Sequence, residues 1–346
     1  MTKTKAPIKV GMITLEPHGR PWAEVIARNM PELKMECAWD YNPERARWYA
    51  DKYNIPHVVE RVEDMLGKVD AVLIGGGRRP PSGEGIWGEE TDDHLLFSRP
   101  FLENSKAVLI DKPFADRLED AIEMVSLARG NHALLMSSSP LRYASELIAA
   151  KEVVDYNGLG LISGATCFIG CGLATLKWYI IHILEGVFVN FGPGIECVFA
   201  LPSHGLTVIG KDKKPRAYGL VFRWRDGRIA TITMVQDQTD AAEGKGYSDR
   251  EPRILWPTAT VIAPYLPFHY NIRIYGDMDW IEIRTVGKGS YTNELKAFLK
   301  MIETGEEAIP LEHTLELTQA IVMAEKSVHT GQLQMLRPIE EIMPQI

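Results

Sequence analysis

The chain has 346 residues, 45% hydrophobic and 24% charged, with a formal net charge of −8. That length suggests two domains and a core that needs no staples, while the negative balance argues against a broad nucleic-acid or anionic-membrane surface. Cys37, Cys167, Cys171 and Cys197 lack paired metal-site spacing and read as buried thiols. The start is polar and basic without an apolar signal core, and no run approaches a membrane span. A cytoplasmic protein is the expectation.

Ile8 to Leu15 reads as a first strand, followed by a loop to Pro21. Pro21-Trp22-Ala23 opens a helix to about Asn29, since proline suits a first turn. Met35 to Trp39 is a second strand, ending at Asp40, and Asn42-Pro43-Glu44 starts a helix through Tyr53. Val62 to Leu66 is a helical turn and Val69 to Ile74 a third strand. Val108, Leu109 and Ile110 form a fourth, closed by Asp111-Lys112-Pro113, because proline cannot continue a central strand. A helix pattern runs from about Arg117 to Arg129, and His132 to Ser137 is a fifth strand. This βαβ alternation predicts a parallel sheet.

After about Leu147 the texture changes. Leu220 to Arg225 and Ile229 to Val235 alternate with period two around Asp226-Gly227, a hairpin signal. Asn271 to Tyr275 and Asp279 to Arg284 repeat the pattern around Gly276-Asp277. Tyr291 to Thr304 and Thr314 to Val328 are amphipathic helices. The expected architecture is α/β: a Rossmann-like parallel-sheet domain over residues 1–147, and an α+β domain with a mostly antiparallel open sheet over 148–346.

Lys112 falls at the carboxyl end of a strand, the edge where open α/β sheets bind ligands. Taken alone it reads as a solvated loop lysine, the usual place for a charged side chain. In this order of elements, however, the Asp111-Lys112-Pro113 triplet resembles the Glu-Lys-Pro triplet of the glucose–fructose oxidoreductase / inositol 2-dehydrogenase (Gfo/Idh/MocA) family. Asp40 with Pro43-Glu44-Arg45-Ala46, Asp70 to Ile74, and Gly305 to His313 with Leu315-Glu316 are similar to other family segments. The resemblance implies a nicotinamide cofactor, a sugar or polyol substrate, and homo-oligomers formed through the open sheet. It implies Lys112 and His182 as catalytic residues, and Thr14, Gly19, Asp40, Gly75 and Asp111 as cofactor contacts. Arg142, Tyr143 and Lys177 are implied on the substrate side, and Trp87, in a loop longer than the family's, suits stacking on a sugar face.

Besides Asp111 in place of the triplet's glutamate, the residues depart from the family pattern in two places. A dinucleotide fingerprint needs glycines so that the backbone approaches the pyrophosphate. Here the three positions hold Thr14, Glu16 and Gly19. A carboxylate about 4 Å from a phosphate charge costs about 4 kcal/mol at an effective dielectric of about 20. Asp40, by contrast, lies where an acid bonds an adenosine ribose and repels a 2′-phosphate, which favours NAD over NADP; capping the next helix is the competing role. The second departure is Trp178, where the family often has an aspartate one turn before His182. His182 suits proton movement near neutral pH, but packing among Tyr179, Ile180, Ile181 and Ile183 is a competing role.

Gly75 to Asp93 is a long loop with Arg78, Arg79 and Trp87, suited to a lid or binding loop, or to a plain surface excursion. Glu16, His18, Asp92 and His94 are too scattered to signal a metal site, and none is expected. Arg142 suits either a substrate contact or an interdomain salt bridge. Two non-redox alternatives fit the degenerate loop: a sugar-binding or regulatory protein, and a lyase or hydrolase.

Overall fold

The structure, a computed structural model, describes residues 6–15, 19–76, 78–79, 91–171, 176–203, 217–236, 269–285, 287 and 289–343. By contacts the chain divides into two units. One comprises Met1–Tyr143, Gly289–Gln319 and Pro338–Ile346, the other Ala144–Lys288 and Ala320–Arg337.

In the first unit the elements run β1 (Ile8–Ile13), α1 (Gly19–Asn29), β2 (Leu33–Trp39), α2 (Pro43–Tyr53), β3 (His57–Val58), β4 (Ala71–Ile74), β5 (Arg78–Arg79), β6 (Thr91–Asp92), α3 (His94–Glu103), β7 (Ala107–Ile110), α4 (Leu118–Gly130) and β8 (Leu135–Ser137). Among the described residues six strands form a parallel sheet in the order β3-β2-β1-β4-β7-β8. The runs Ala71-Val-Leu-Ile74 and Ala107-Val-Leu-Ile110 are apolar at every position because both faces are covered. Val10, Leu73 and Leu109 pack with Trp22 and Tyr49 on one face, while Val72, Ile74, Val108 and Ile110 pack with Phe97, Phe101 and Met124 on the other. Pro43 opens α2, and the Asn42 side chain caps it by accepting from Glu44 N at 2.9 Å. Helix α3 has no counterpart in the sequence reading, where Pro100 in its interior obscured the pattern.

The second unit contributes α5 (Ser145–Asp155), β9 (Ile162–Cys171), α6 (Leu176–Phe191), β10 (Ile195–Ser203), β11 (Ala217–Trp224), β12 (Ile229–Gln236), β13 (His269–Gly276) and β14 (Trp280–Thr285). After them come α7 (Ser290–Thr304), which belongs to the first unit, then α8 (Leu311–Thr330), within which the division falls, β15 (Gln334–Met335) and α9 (Ile339–Ile342). Among the described residues seven strands form one sheet, β14-β13-β9-β12-β11-β10-β15. Its pairings are antiparallel except for β9 with β12, so the sheet is mostly antiparallel, as expected, with one parallel pair. The β11–β12 hairpin turns where Asp226-Gly227 signals it, with Gly227 at φ +93°.

The register sorts this sheet into two faces. Leu220, Ile232, Cys167, Ile272 and Ile283 lie in one row across five strands and are buried. On the opposite face Val221 pairs with Thr231, and Arg273 with Glu282.

A boundary at residue 147 puts residues 289–319 in the second domain. Their side chains instead join the first unit: Leu295, Phe298 and Met301 pack with Val10 and Trp22, and Leu311 and Leu315 with Phe97 and Met124. Amphipathic periodicity reveals that a helix has an apolar face, not which sheet that face covers.

Candidate functional site

The carboxyl edge of the parallel sheet gathers most of the expected cofactor residues. Gly19 begins α1 and Gly75 follows β4. A Cβ on Gly75 would sit 2.5 Å from both Gly19 N and Thr14 O, and one on Gly19 would sit 2.5 Å from Thr14 O. Three backbone segments therefore meet with no room for a side chain, which explains both glycines. Thr14 keeps the left-handed backbone of a glycine, φ +54°, and its hydroxyl donates to the Gly76 carbonyl. That conformation costs a threonine on the order of 1–2 kcal/mol.

Asp111 continues this edge, its N–H donating to Ile74 O at 2.9 Å. Asp111 and Lys112 are 1% and 2% exposed. Lys112 is thus no solvated loop residue; an almost fully buried lysine is rare in a folded chain.

Asp40 neither caps α2, which Asn42 does, nor offers an open carboxylate. Its Oδ2 accepts from Leu15 N at 2.9 Å. Its Oδ1 accepts from Asn42 N at 2.9 Å and from Arg45 Nε and Nη2 at 2.9 and 2.7 Å. The acid clips the segment after β1 to the start of α2.

Helix α7 holds the segment after β8. Glu294 is fully buried and accepts from Trp22 Nε1 at 2.8 Å and from Ser138 Oγ at 3.0 Å. Asn293 Nδ2 donates to Tyr143 O at 3.0 Å. One helix from late in the chain thereby ties α1 to the Ser138–Tyr143 stretch that carries Arg142 and Tyr143. Burial holds the His313 imidazole below its usual pKa, and the nearby Arg142 charge adds to that depression.

In the second unit His182 is 8% exposed within α6. Its ring meets Tyr179 at 5.4 Å and Tyr270 of β13 at 5.5 Å between centroids, both edge-on. A Cβ on Gly186, one turn later, would meet Ile272 Cδ1 at 2.5 Å, so this helix face lies close against β13. Trp178 is 6% exposed, and the Lys177 ammonium lies 5.2 Å from its ring centroid, in cation–π range. Trp87, Glu16 and His18 lie outside the described residues. Among the described residues no group of three or more His, Cys, Asp or Glu is arranged to hold a metal ion. No described helix is long and apolar enough to cross a membrane.

The roles of Arg45, Glu294 and Tyr270 emerge only in the structure. Arg45 carried a usable signal, a cation five residues after an acid across a helix start. Glu294 and Tyr270 meet their partners only through tertiary packing.

A comparison with protein-family models matches residues 8–139 to the oxidoreductase family with the NAD-binding Rossmann fold, Gfo/Idh/MocA. The family match thus rests on residues 8–139, and the rest of the chain is matched by its fold. Over nearly the whole chain the fold is similar to that of scyllo-inositol dehydrogenase from Lactobacillus casei, solved with NAD(H) and scyllo-inositol. That match has a TM-score of 0.75 and 16% identity, covering 95% of this chain and 99% of the other. Myo-inositol dehydrogenase from Corynebacterium glutamicum matches with TM-score 0.75 at 15% identity, covering 96% and 99%. GenD2 from gentamicin A biosynthesis, in complex with NAD, matches with TM-score 0.75 at 13% identity, covering 97% and 98%. A comparison with curated proteins finds no match.

The Gfo/Idh/MocA segment fits a dinucleotide at the backbone level. Gly19 and Gly75 keep side chains out of the start of α1, where a helix N-terminus favours a pyrophosphate. The side-chain departures are Thr14 and the occupied Asp40.

Proposed function

We propose that the chain transfers hydride between a nicotinamide dinucleotide and a hydroxyl carbon of a sugar, polyol or sugar derivative. The observation that carries this reading is Lys112, 2% exposed at the carboxyl end of β7, beside the Gly19–Gly75 approach that suits the dinucleotide. Thr14, Gly19, Gly75 and Asp111 would border the cofactor, which when bound supplies the hydride acceptor. Lys112 holds the substrate oxygen and stabilises negative charge developing on it. His182 is the second proton-moving group, oriented by ring packing rather than by an acid. Arg142, Tyr143, Lys177 and Trp87 are the proposed substrate contacts. The expected preference for NAD over NADP assumed an Asp40 carboxylate open to the ribose, and Arg45 now occupies that carboxylate.

The test follows NADH formation at 340 nm with a panel of inositols and sugars, for the wild type and Lys112→Ala. Turnover by the wild type and its loss in the folded variant supports the reading. The second reading, a non-redox sugar-binding protein, is favoured by Trp178 in the acid's place; it predicts polyol binding with no NADH formed.

We also propose a cytoplasmic homo-oligomer paired through the open face of the second unit's sheet. Leu201, Val221, Ile229 and Met335 are between 40% and 54% exposed there, and pairing two such faces would cover them. A monomer by light scattering at micromolar concentration would reject it.

A further inference from the structure

Lys112 stands just past the end of β7, where the chain leaves the ladder. On its amino side Asp111 N donates to Ile74 O at 2.9 Å. On its carboxyl side Pro113 has no N–H to give, and Phe114 is held by its carbonyl. That oxygen lies 3.1 Å from His94 Nδ1. A carbonyl only accepts, so Nδ1 carries the proton and donates. Both residues are buried, at 1% and 4% exposed, which shields the bond from competing water.

His94 is itself fixed from other directions. It is the first residue of α3, and Asp93 before it accepts from the Tyr41 hydroxyl. One turn on, Phe97 meets Trp39 at 4.9 Å and Tyr41 at 5.5 Å between ring centroids. Trp39 is the last residue of β2, so α3 starts pinned to that strand's end. Phe97, Phe101 and Phe114 share one core cluster. The Phe114 side chain thus packs with the helix whose first residue holds its carbonyl. The donor is set relative to the sheet, and it fixes the backbone two residues beyond Lys112. A side chain as buried as that of Lys112 has little room to change rotamer, so its backbone decides where the ammonium goes.

We propose that His94 is a positioning residue: its Nδ1–H fixes the Phe114 carbonyl and thereby aims the Lys112 ammonium at the substrate oxygen. The proposal rests on the role given to Lys112 above. Misplacing a reacting group by about 1 Å costs about a hundredfold in rate. Loss of the bond is therefore expected in kcat, and not in affinity for a cofactor that meets the Gly19–Gly75 edge.

The test compares the wild type with His94→Asn, His94→Gln and His94→Leu in the full chain. The Asn amide nitrogen is bonded to Cγ, as Nδ1 is, and can donate to Phe114 O. The Gln nitrogen sits one carbon further out, and Leu has no donor. The first readout needs no substrate: NMR of the chain carrying Cε-labelled lysine, with the Lys112 signal identified by its loss in Lys112→Arg. Wild type and His94→Asn are expected to share that signal and its titration, whereas His94→Gln and His94→Leu displace it. The second readout is turnover of a polyol. Here kcat is expected to fall about a hundredfold in His94→Gln and His94→Leu, with the cofactor KM within about threefold, and to be largely retained in His94→Asn. If His94→Leu fails to fold, His94→Gln carries the comparison. A Lys112 signal unmoved in His94→Gln would overturn the proposal, as would equal displacement in the Asn and Gln variants, which would make the ring a packing element only. No NADH formed by the wild type, with a Lys112 signal that moves as expected, would overturn the hydride-transfer reading and uphold the control of Lys112 by His94.

Discussion

Lys112 and His182 are both nearly buried, at 2% and 8% exposed, yet their surroundings differ in kind. The edge that carries Lys112 is held by polar clips between distant segments: Asp40 to Leu15 and Arg45, Glu294 to Trp22 and Ser138, Asn293 to Tyr143. His182 sits instead between two tyrosine rings on an almost wholly buried helix. Polar clips are directional, so removing one partner strands the other in a buried place. Ring packing is adaptable, so a ring of similar size can replace the imidazole without unfolding the helix. Substitutions on the two sides should therefore separate function from stability differently.

The largest effect is expected for Lys112→Ala. Turnover should fall by about 10²–10⁴ with unchanged circular dichroism, and near-normal kcat in the folded variant would remove Lys112 from catalysis. Glu294→Ala should come next. It strands the Trp22 indole N–H and the Ser138 hydroxyl, and should cost about 3 kcal/mol in a denaturant titration. Glu294→Gln, which retains an acceptor, should cost less than half of that.

His182→Phe should lower kcat by about a hundredfold while stability changes by less than about 1.5 kcal/mol. A large loss of stability with intact kcat would assign the histidine to packing alone. Glu16→Gly concerns a position known only from the sequence. By removing charge and bulk from the second glycine position it should tighten NADH binding several-fold, about 1 kcal/mol by calorimetry.

The smallest expected effect is a pH dependence. Because the folded His313 has a depressed pKa, the unfolded chain binds the extra proton more readily. The stability contributed by neutral His313 is thus present above the unfolded histidine value of about 6.5 and is lost as pH falls through it. His313→Gln should flatten stability over that window. Identical pH profiles for the two proteins would show that the depression does not contribute.

Much of the fold was legible in the sequence. Continuous apolar runs such as Ala107 to Ile110 mark strands covered on both faces, and alternation in β11 and β12 marks a sheet covered on one. Local punctuation worked as well: Pro113 closed β7, and Gly227 turned the hairpin. Three features escaped for physical reasons. The proline in α3 hid a helix. The return of residues 289–319 to the first unit depends on which sheet an amphipathic helix covers, a long-range choice. The parallel pairing of β9 with β12 carries no local signature. At the candidate site the sequence offers Lys112, Gly19 and Asp40 as candidates by their position at strand ends. It could not show that Arg45 consumes the Asp40 carboxylate, because that depends on side-chain direction at a helix start.

The most direct test of the central claim is titration of the purified wild-type chain with NADH, following nicotinamide fluorescence. Saturable binding with a Kd well below about 1 mM, weakened by Gly75→Ala, is the predicted result. That substitution would force a Cβ to within 2.5 Å of Gly19 N. No saturable signal up to about 1 mM NADH, a free energy weaker than about −4.1 kcal/mol, would contradict the account.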